Sequence, residues 1–142
     1  MMKVKNLSIT LNHAILLVAL VTSFTQAYGS STQSNVEKKS VQSSMKEYVK
    51  RHTGHDGLLP IVYKGKVLKL KLFTSKKYPD GFHSGVQENG NLFASCADFV
   101  HPKTQDKYDI DFLVQKNNTT YDVVQPIVHS INGKKDAYDL KH

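Results

Sequence analysis

Tryptophan is absent from the 142 residues, and cysteine occurs once, as Cys96. One thiol closes no internal disulfide, so a small scaffold held together by crosslinks is excluded, although an exported chain would permit such bonds. The chain lacks His-Glu-x-x-His, Gly-x-Ser-x-Gly, a Walker phosphate loop and Gly-x-Gly-x-x-Gly. Metalloprotease, α/β-hydrolase, nucleotide-phosphate and dinucleotide chemistry therefore have no signature here. No arginine-rich run interleaved with aromatics occurs, so specific nucleic-acid binding is not expected. Collagen, coiled-coil and multi-span membrane classes do not fit a composition of 39% hydrophobic and 22% charged residues. The length is that of one domain.

The first segment reads as an address. Lys3 and Lys5 precede the apolar run Ala14–Val21, and the small-residue stretch Thr25-Gln26-Ala27 follows. Basic, apolar, then small is the secretory signal pattern. The apolar run falls well short of the roughly 20 residues that span a bilayer. Residues 1–27 are expected to be a signal peptide cleaved after Ala27, with Gly29 as the second choice. No transmembrane segment is expected after cleavage. Removal leaves 115 of the 142 residues, and loss of Lys3 and Lys5 takes the formal charge from +7 to +5. A basic exported protein suits an anionic envelope surface or polyanion without requiring one.

Residues 28–35 are rich in Ser, Thr, Gln and Asn, and are expected to be a disordered leader before a single domain over 36–142. Ser34 and Glu37 have capping-box spacing, and Val41, Met45, Tyr48, Val49 and His52 recur at helical spacing. Lys50, Arg51 and His52 suit the end of such a helix, with Gly54 as a stop. Strands are expected over Leu58–Tyr63 and Lys66–Phe73, where Leu68, Leu70 and Leu72 alternate with Lys69 and Lys71. Thr74–Gly90 reads as a long loop with possible extended pieces, a length often functional or mobile. Further strands are expected over Leu92–Val100, Lys107–Val114 and Tyr121–Ile131. Pro126 argues that the last of these lies at an edge or carries a bulge. Asn132-Gly133 turns the chain into a final strand at Asp136–Leu140. The fold class is α+β: one N-terminal amphipathic helix packed on a curved, four- to five-stranded antiparallel sheet.

One hairpin fixes its own register. If Val100 pairs with Lys107, one face stacks Phe99 on Tyr108, Ala97 on Ile110, Ser95 on Phe112 and Phe93 on Val114. A slip of one residue would mix the faces. The opposite face then sets Asp98 against Asp109, Cys96 against Asp111 and Ala94 against Leu113. Like charges placed opposite each other are destabilising, so something must offset them. The first candidate is a lattice of ion pairs with Lys69 and Lys71. The second is an organic or protein ligand, and the third a metal, with His129 on the next strand able to join the carboxylates. The ligand-binding candidates are thus Asp98, Asp109, Asp111, His129 and Cys96, with no catalytic residue assigned and no cofactor expected. A thiol beside carboxylates has its thiolate disfavoured, which argues against Cys96 as a nucleophile; a small buried side chain is its ordinary role. His52 and His55 are expected to serve the local cap and turn, and His83 and His101 to be loop residues. Asn117-Asn118-Thr119-Thr120 reads as a polar hairpin turn, and as glycosylation sequons only in a eukaryotic host.

Cys96-Ala97-Asp98-Phe99, Tyr108-Asp109-Ile110-Asp111-Phe112, Ile127-Val128-His129 and Gly133-Lys134 together resemble a group of small exported bacterial proteins of unknown function. These share a CADF…YD-x-DF…IH…GK pattern. The resemblance covers roughly residues 57–138, most specifically 92–114. It departs at Gln105-Asp106-Lys107, where a Gly turn is expected, and at Val128, which separates Ile127 from His129. It implies a cystatin-like or nuclear-transport-factor-like domain. The Gln-x-Val-x-Gly loop and later Pro-Trp of cystatin inhibitors are missing, so protease inhibition by that mode is not implied. The expected protein is a periplasmic or secreted, non-catalytic binding module for an unknown protein or small ligand of the cell envelope. The alternative is a small enzyme with an Asp–His acid/base pair in a sheet-lined pocket.

Overall fold

The computed structural model describes residues 26–136, with side chains from Ser34 onward. The expected signal segment lies outside the described residues except for Gln26 and Ala27, as does the expected final strand beyond Asp136. The chain divides into two compact units, Met1–Ser34 and Asn35–His142, and the packing described here is that of the second. No helix among the described residues is long and apolar enough to cross a membrane.

Helix α1 runs Gln26–His52, so it starts ten residues before the expected position and takes in the stretch read as a leader. Ser34 and Glu37 are therefore inside the helix and form no capping box; Glu37 instead pairs with Lys116 of the sheet. The helical spacing of Val41, Met45 and Val49 gives a stripe that is 0%, 0% and 6% exposed. At the other end Thr53 donates both its backbone N–H and its hydroxyl to Val49 O. Asp56 Oδ1 accepts from Leu58 N and turns the chain toward the sheet.

Among the described residues seven strands follow: β1 Leu59–Tyr63, β2 Lys66–Leu72, β3 Gln87–Asn89, β4 Leu92–Val100, β5 Lys107–Asn117, β6 Thr120–Ile131 and β7 Lys134–Lys135. All pairings are antiparallel, in the order β1-β2-β4-β5-β6-β7, with β3 also on β4. Four or five strands is an undercount, and the strand the sequence does not show is β3, which is short and exposed along its length. Gln87-Glu88-Asn89 has no apolar alternation to reveal it. Lys64-Gly65 and Asn132-Gly133 both turn with positive φ at each residue (48° and 74°, then 51° and 76°), which suits a two-residue hairpin. The second of these turns starts β7 at Lys134, ahead of the expected Asp136.

The β4–β5 register is the one the sequence dictates, from Val100↔Lys107 through Asp98↔Asp109 to Phe93↔Val114. One face carries Phe93, Ala97, Phe99, Ile110, Phe112 and Val114, all at 2% exposure or less. It forms a single core with Val41, Met45 and Val49 of α1. Ser95, the buried hydroxyl on this face, is satisfied by donating to Gly85 O at 2.6 Å. The helix therefore fills one side of the sheet, and the carboxylates occupy the other.

Met45 is fully buried at the centre of the helix stripe. Met45→Ala is expected to lower the unfolding free energy by about 2–5 kcal/mol, read from denaturant titration with an unchanged slope.

Candidate functional site

The outer edge of β4 is built from three short stretches of one segment. Lys71 and Leu72 of β2 pair with Val100 and Phe99, Phe82 bridges Ala97, and β3 pairs with Leu92–Ala94. Between the first two the chain makes an excursion over 74–80. Both of its ends are tied to one residue: Phe73 N donates to Asp98 O, and Asp98 N donates to Gly81 O. His83 N then donates to Cys96 O. Strand alternation does the rest. Phe82 lies opposite Ala97 and joins the core, so the neighbouring His83 turns to the face that carries Cys96 and Asp98.

Gly81 makes this return possible. Its φ is +82°, and a Cβ there would lie 2.9 Å from both Leu72 Cδ1 and Phe73 O. Three further contacts hold the returning segment. Tyr78 stacks on the His83 ring at 3.9 Å, Gln42 of α1 donates to His83 O at 3.0 Å, and Lys46 of α1 pairs with Asp80 at 2.7 Å.

His129 arrives by a different device. Asp109 pairs with Ser130 but Ile110 pairs with Val128, which leaves His129 as the extra residue of a bulge in β6. Regular alternation would place His129 on the helix side, since Ser130 faces the carboxylates. The bulge instead lets Val128 take the core position, 3% exposed, while His129 turns to the polar face. There His129 Nδ1 donates to Asp111 Oδ2 at 2.8 Å. The additional residue Val128, which breaks the Ile-His pair of the resembled pattern, sits beside this bulge. A second register shift at Leu113/Val114 lies near Pro126, and β7 covers only Ser130 and Ile131 of β6. Pro126 thus has both the edge position and the neighbouring bulge expected of it.

The sequence-predicted residues Cys96, Asp98, Asp109, Asp111 and His129 therefore share one patch of sheet. His83 joins them although it was expected to be a loop residue; its signal lay in the Pro79-Asp80-Gly81 turn before it, which hides a strand-like return. Cys96 Sγ lies 2.9 Å from His83 Nδ1. His83 Nε2 lies 3.1 Å from Asp98 Oδ1, but the approach is too oblique for a hydrogen bond. The expected lysine lattice does not form as read. Lys69, two residues short of the contact between β2 and β4, pairs with Asp56 at 3.1 Å, and histidines lie against Asp98 and Asp111 instead. The described surface also has a shallow recess at the end of α1, lined by His52, His55, Asp56 and Lys69, which contains none of these residues.

Among the described residues, two buried side-chain polar atoms lack a hydrogen-bond partner, His83 Nε2 and Asp109 Oδ1, and both belong to this site. Burial pushes the Asp109 carboxyl up, and the charges of Asp111 and Asp98 add to this, while His83 and His129 work against it. Burial likewise pushes the Cys96 thiol far up, followed by the charges of Asp109, Asp111 and Asp98 beside it. A thiol in that state is a poor nucleophile.

Gly81→Ala is expected to destabilise the protein by on the order of 2 kcal/mol, from left-handed strain plus overlap with Leu72 and Phe73, measured by chemical unfolding. Asp109 yields a pH signature. The native state holds its proton more tightly than the unfolded chain does. The resulting stabilisation is complete below the ordinary carboxyl range and is lost as pH rises through the raised value. Asp109→Asn removes that loss. With no added metal it is expected to raise the melting temperature at neutral pH and to leave it unchanged in acid, by thermal unfolding across pH.

Compared with family profiles, with curated proteins and with solved structures, the chain matches none of them.

Proposed function

We propose that this protein is an exported, non-catalytic binding module whose ligand presents a positive charge to the Asp98/Asp109/Asp111 face. One observation carries the reading: Asp109 Oδ1 is buried, without a hydrogen-bond partner, and surrounded by further carboxylates. A buried polar group left unpaired costs about 1–3 kcal/mol, more when charged, and a cation would recover it. Export is supported by the basic, apolar and small-residue pattern of residues 1–27. The cystatin-like reading belongs to the same proposal. Its support is one helix packed on an antiparallel sheet, with a curved sheet then leaving the face away from the helix for a ligand.

A second reading, a small enzyme with an Asp–His acid/base pair, has the 2.8 Å contact between His129 and Asp111 in its favour. Cys96, His83 and Asp98 also follow one another in the order of a nucleophile, base and orienting group, but the raised thiol opposes that chemistry.

The test is thermal unfolding of the full chain with Ca²⁺, Mg²⁺, Mn²⁺, Zn²⁺, spermidine or a lysine-rich peptide, each beside Asp109→Asn. A cation at a hundredfold excess over its Kd adds about 2.7 kcal/mol, of order 10 °C for a domain of this size. A rise with at least one of these probes that Asp109→Asn abolishes is expected. No rise with any of them overturns the reading.

A further inference from the structure

We infer that His83, Cys96 and Asp109 form a binding site for a divalent transition metal of the zinc class. The inference rests on the cationic-ligand reading above and names the cation. Ligand atoms of these three side chains all lie within 4.8 Å of one another. They come from three separate stretches of chain, the return at 81–83, β4 and β5, and main-chain bonds to Cys96 and Asp98 tie the first of these to β4.

The donor set selects the metal. One sulfur, one imidazole nitrogen and one carboxylate oxygen suit Zn²⁺, and its spectroscopic substitute Co²⁺, whereas Ca²⁺ and Mg²⁺ take oxygen alone. The geometry needs a small adjustment. Ligands at about 2.3 Å (sulfur) and 2.1 Å (nitrogen) of a tetrahedral ion stand about 3.6 Å apart. The present 2.9 Å between Cys96 Sγ and His83 Nδ1 must therefore open, by a rotation of the His83 ring.

The surroundings fit as well. With Nδ1 on the metal, His83 turns Nε2 to Asp98, 3.1 Å away, the carboxylate–histidine–metal arrangement that fixes an imidazole ligand. The same ring rotation offers Nε2 a chance to straighten its present oblique approach. Asp109 Oδ1, buried and unpaired, gains the ion itself as partner. Asp98 and Asp111 add negative charge, and the His129–Asp111 bond on the bulge borders the site. On binding, the S–H bond of Cys96 breaks, its electron pair forms the S–metal bond, and the proton passes to solvent. Three protein ligands leave one position of a tetrahedral ion open, as in sites that exchange ligands.

The full chain titrated with Co²⁺ tests this. The expected result is a near-ultraviolet thiolate-to-Co²⁺ charge-transfer band that saturates at one ion per chain and is erased by Zn²⁺. Cys96→Ser is expected to abolish the band and weaken Zn²⁺ binding by 10-fold or more, and His83→Gln to weaken it similarly, by calorimetry. Lys69→Ala, outside the site, is expected to change neither. Circular dichroism of each variant checks that it is folded. Saturable Co²⁺ binding without the band, or Zn²⁺ binding that Cys96→Ser leaves intact, overturns the ligand set. If Zn²⁺ and Co²⁺ do not bind while spermidine or the lysine-rich peptide still stabilises the wild type, the metal inference fails and the cationic-ligand reading survives.

Discussion

The pairing of β4 with β5 is the constraint on which both sides of this protein depend. Nine residue pairs lie in one unbroken register from Leu92↔Gln115 to Val100↔Lys107. The alternation that gives the helix an apolar floor of Phe93, Ala97, Phe99, Ile110 and Phe112 also assembles Cys96, Asp98, Asp109 and Asp111 on the reverse. The two faces cannot be tuned apart by sliding the strands, because a slip would carry carboxylates into the core. Apolar burial therefore holds a set of like charges together that would repel if free to move.

Two departures from regular structure complete the polar face. The return at Gly81–His83 adds an imidazole beside Cys96, and the bulge at His129 turns a second imidazole away from the helix. Each needs a locally unusual backbone: positive φ at Gly81, and a register shift at His129 in β6. Both departures deliver a histidine to within 3.1 Å of an aspartate, which ties them to one patch of the surface.

What the sequence makes legible follows from where the energy is large. The β4–β5 register and the stripe Val41, Met45, Val49 are readable because burial marks them with apolar residues at strict periods. The clustering of Asp98, Asp109, Asp111 and Cys96 follows from the same register. His83 is not readable in this way, since its partner strand is only a bridge at Phe82 and its own segment has no alternation. β3 escapes for a similar reason: Gln87-Glu88-Asn89 pairs through backbone alone. The expectation for Lys69 fails because Asp56, in the turn before β1, takes its ammonium instead. The long loop was visible as a place of interest, but the bonds that bring it back to the sheet are main-chain bonds that composition does not record.

Asp98 contributes more than its carboxylate. Its carbonyl takes Phe73 N as the chain leaves the sheet, and its N–H meets Gly81 O as the chain comes back. The stretch from Thr74 to Asp80 is thereby clamped at both ends to a single residue, like a loop of thread through one eyelet. Its length is decoupled from the strand register on either side, but its composition is not free, because Tyr78 stacks on His83 and Asp80 pairs with Lys46. A change at either residue would therefore alter what braces His83 on the polar face while leaving the β4–β5 register, and the core beneath it, as they are.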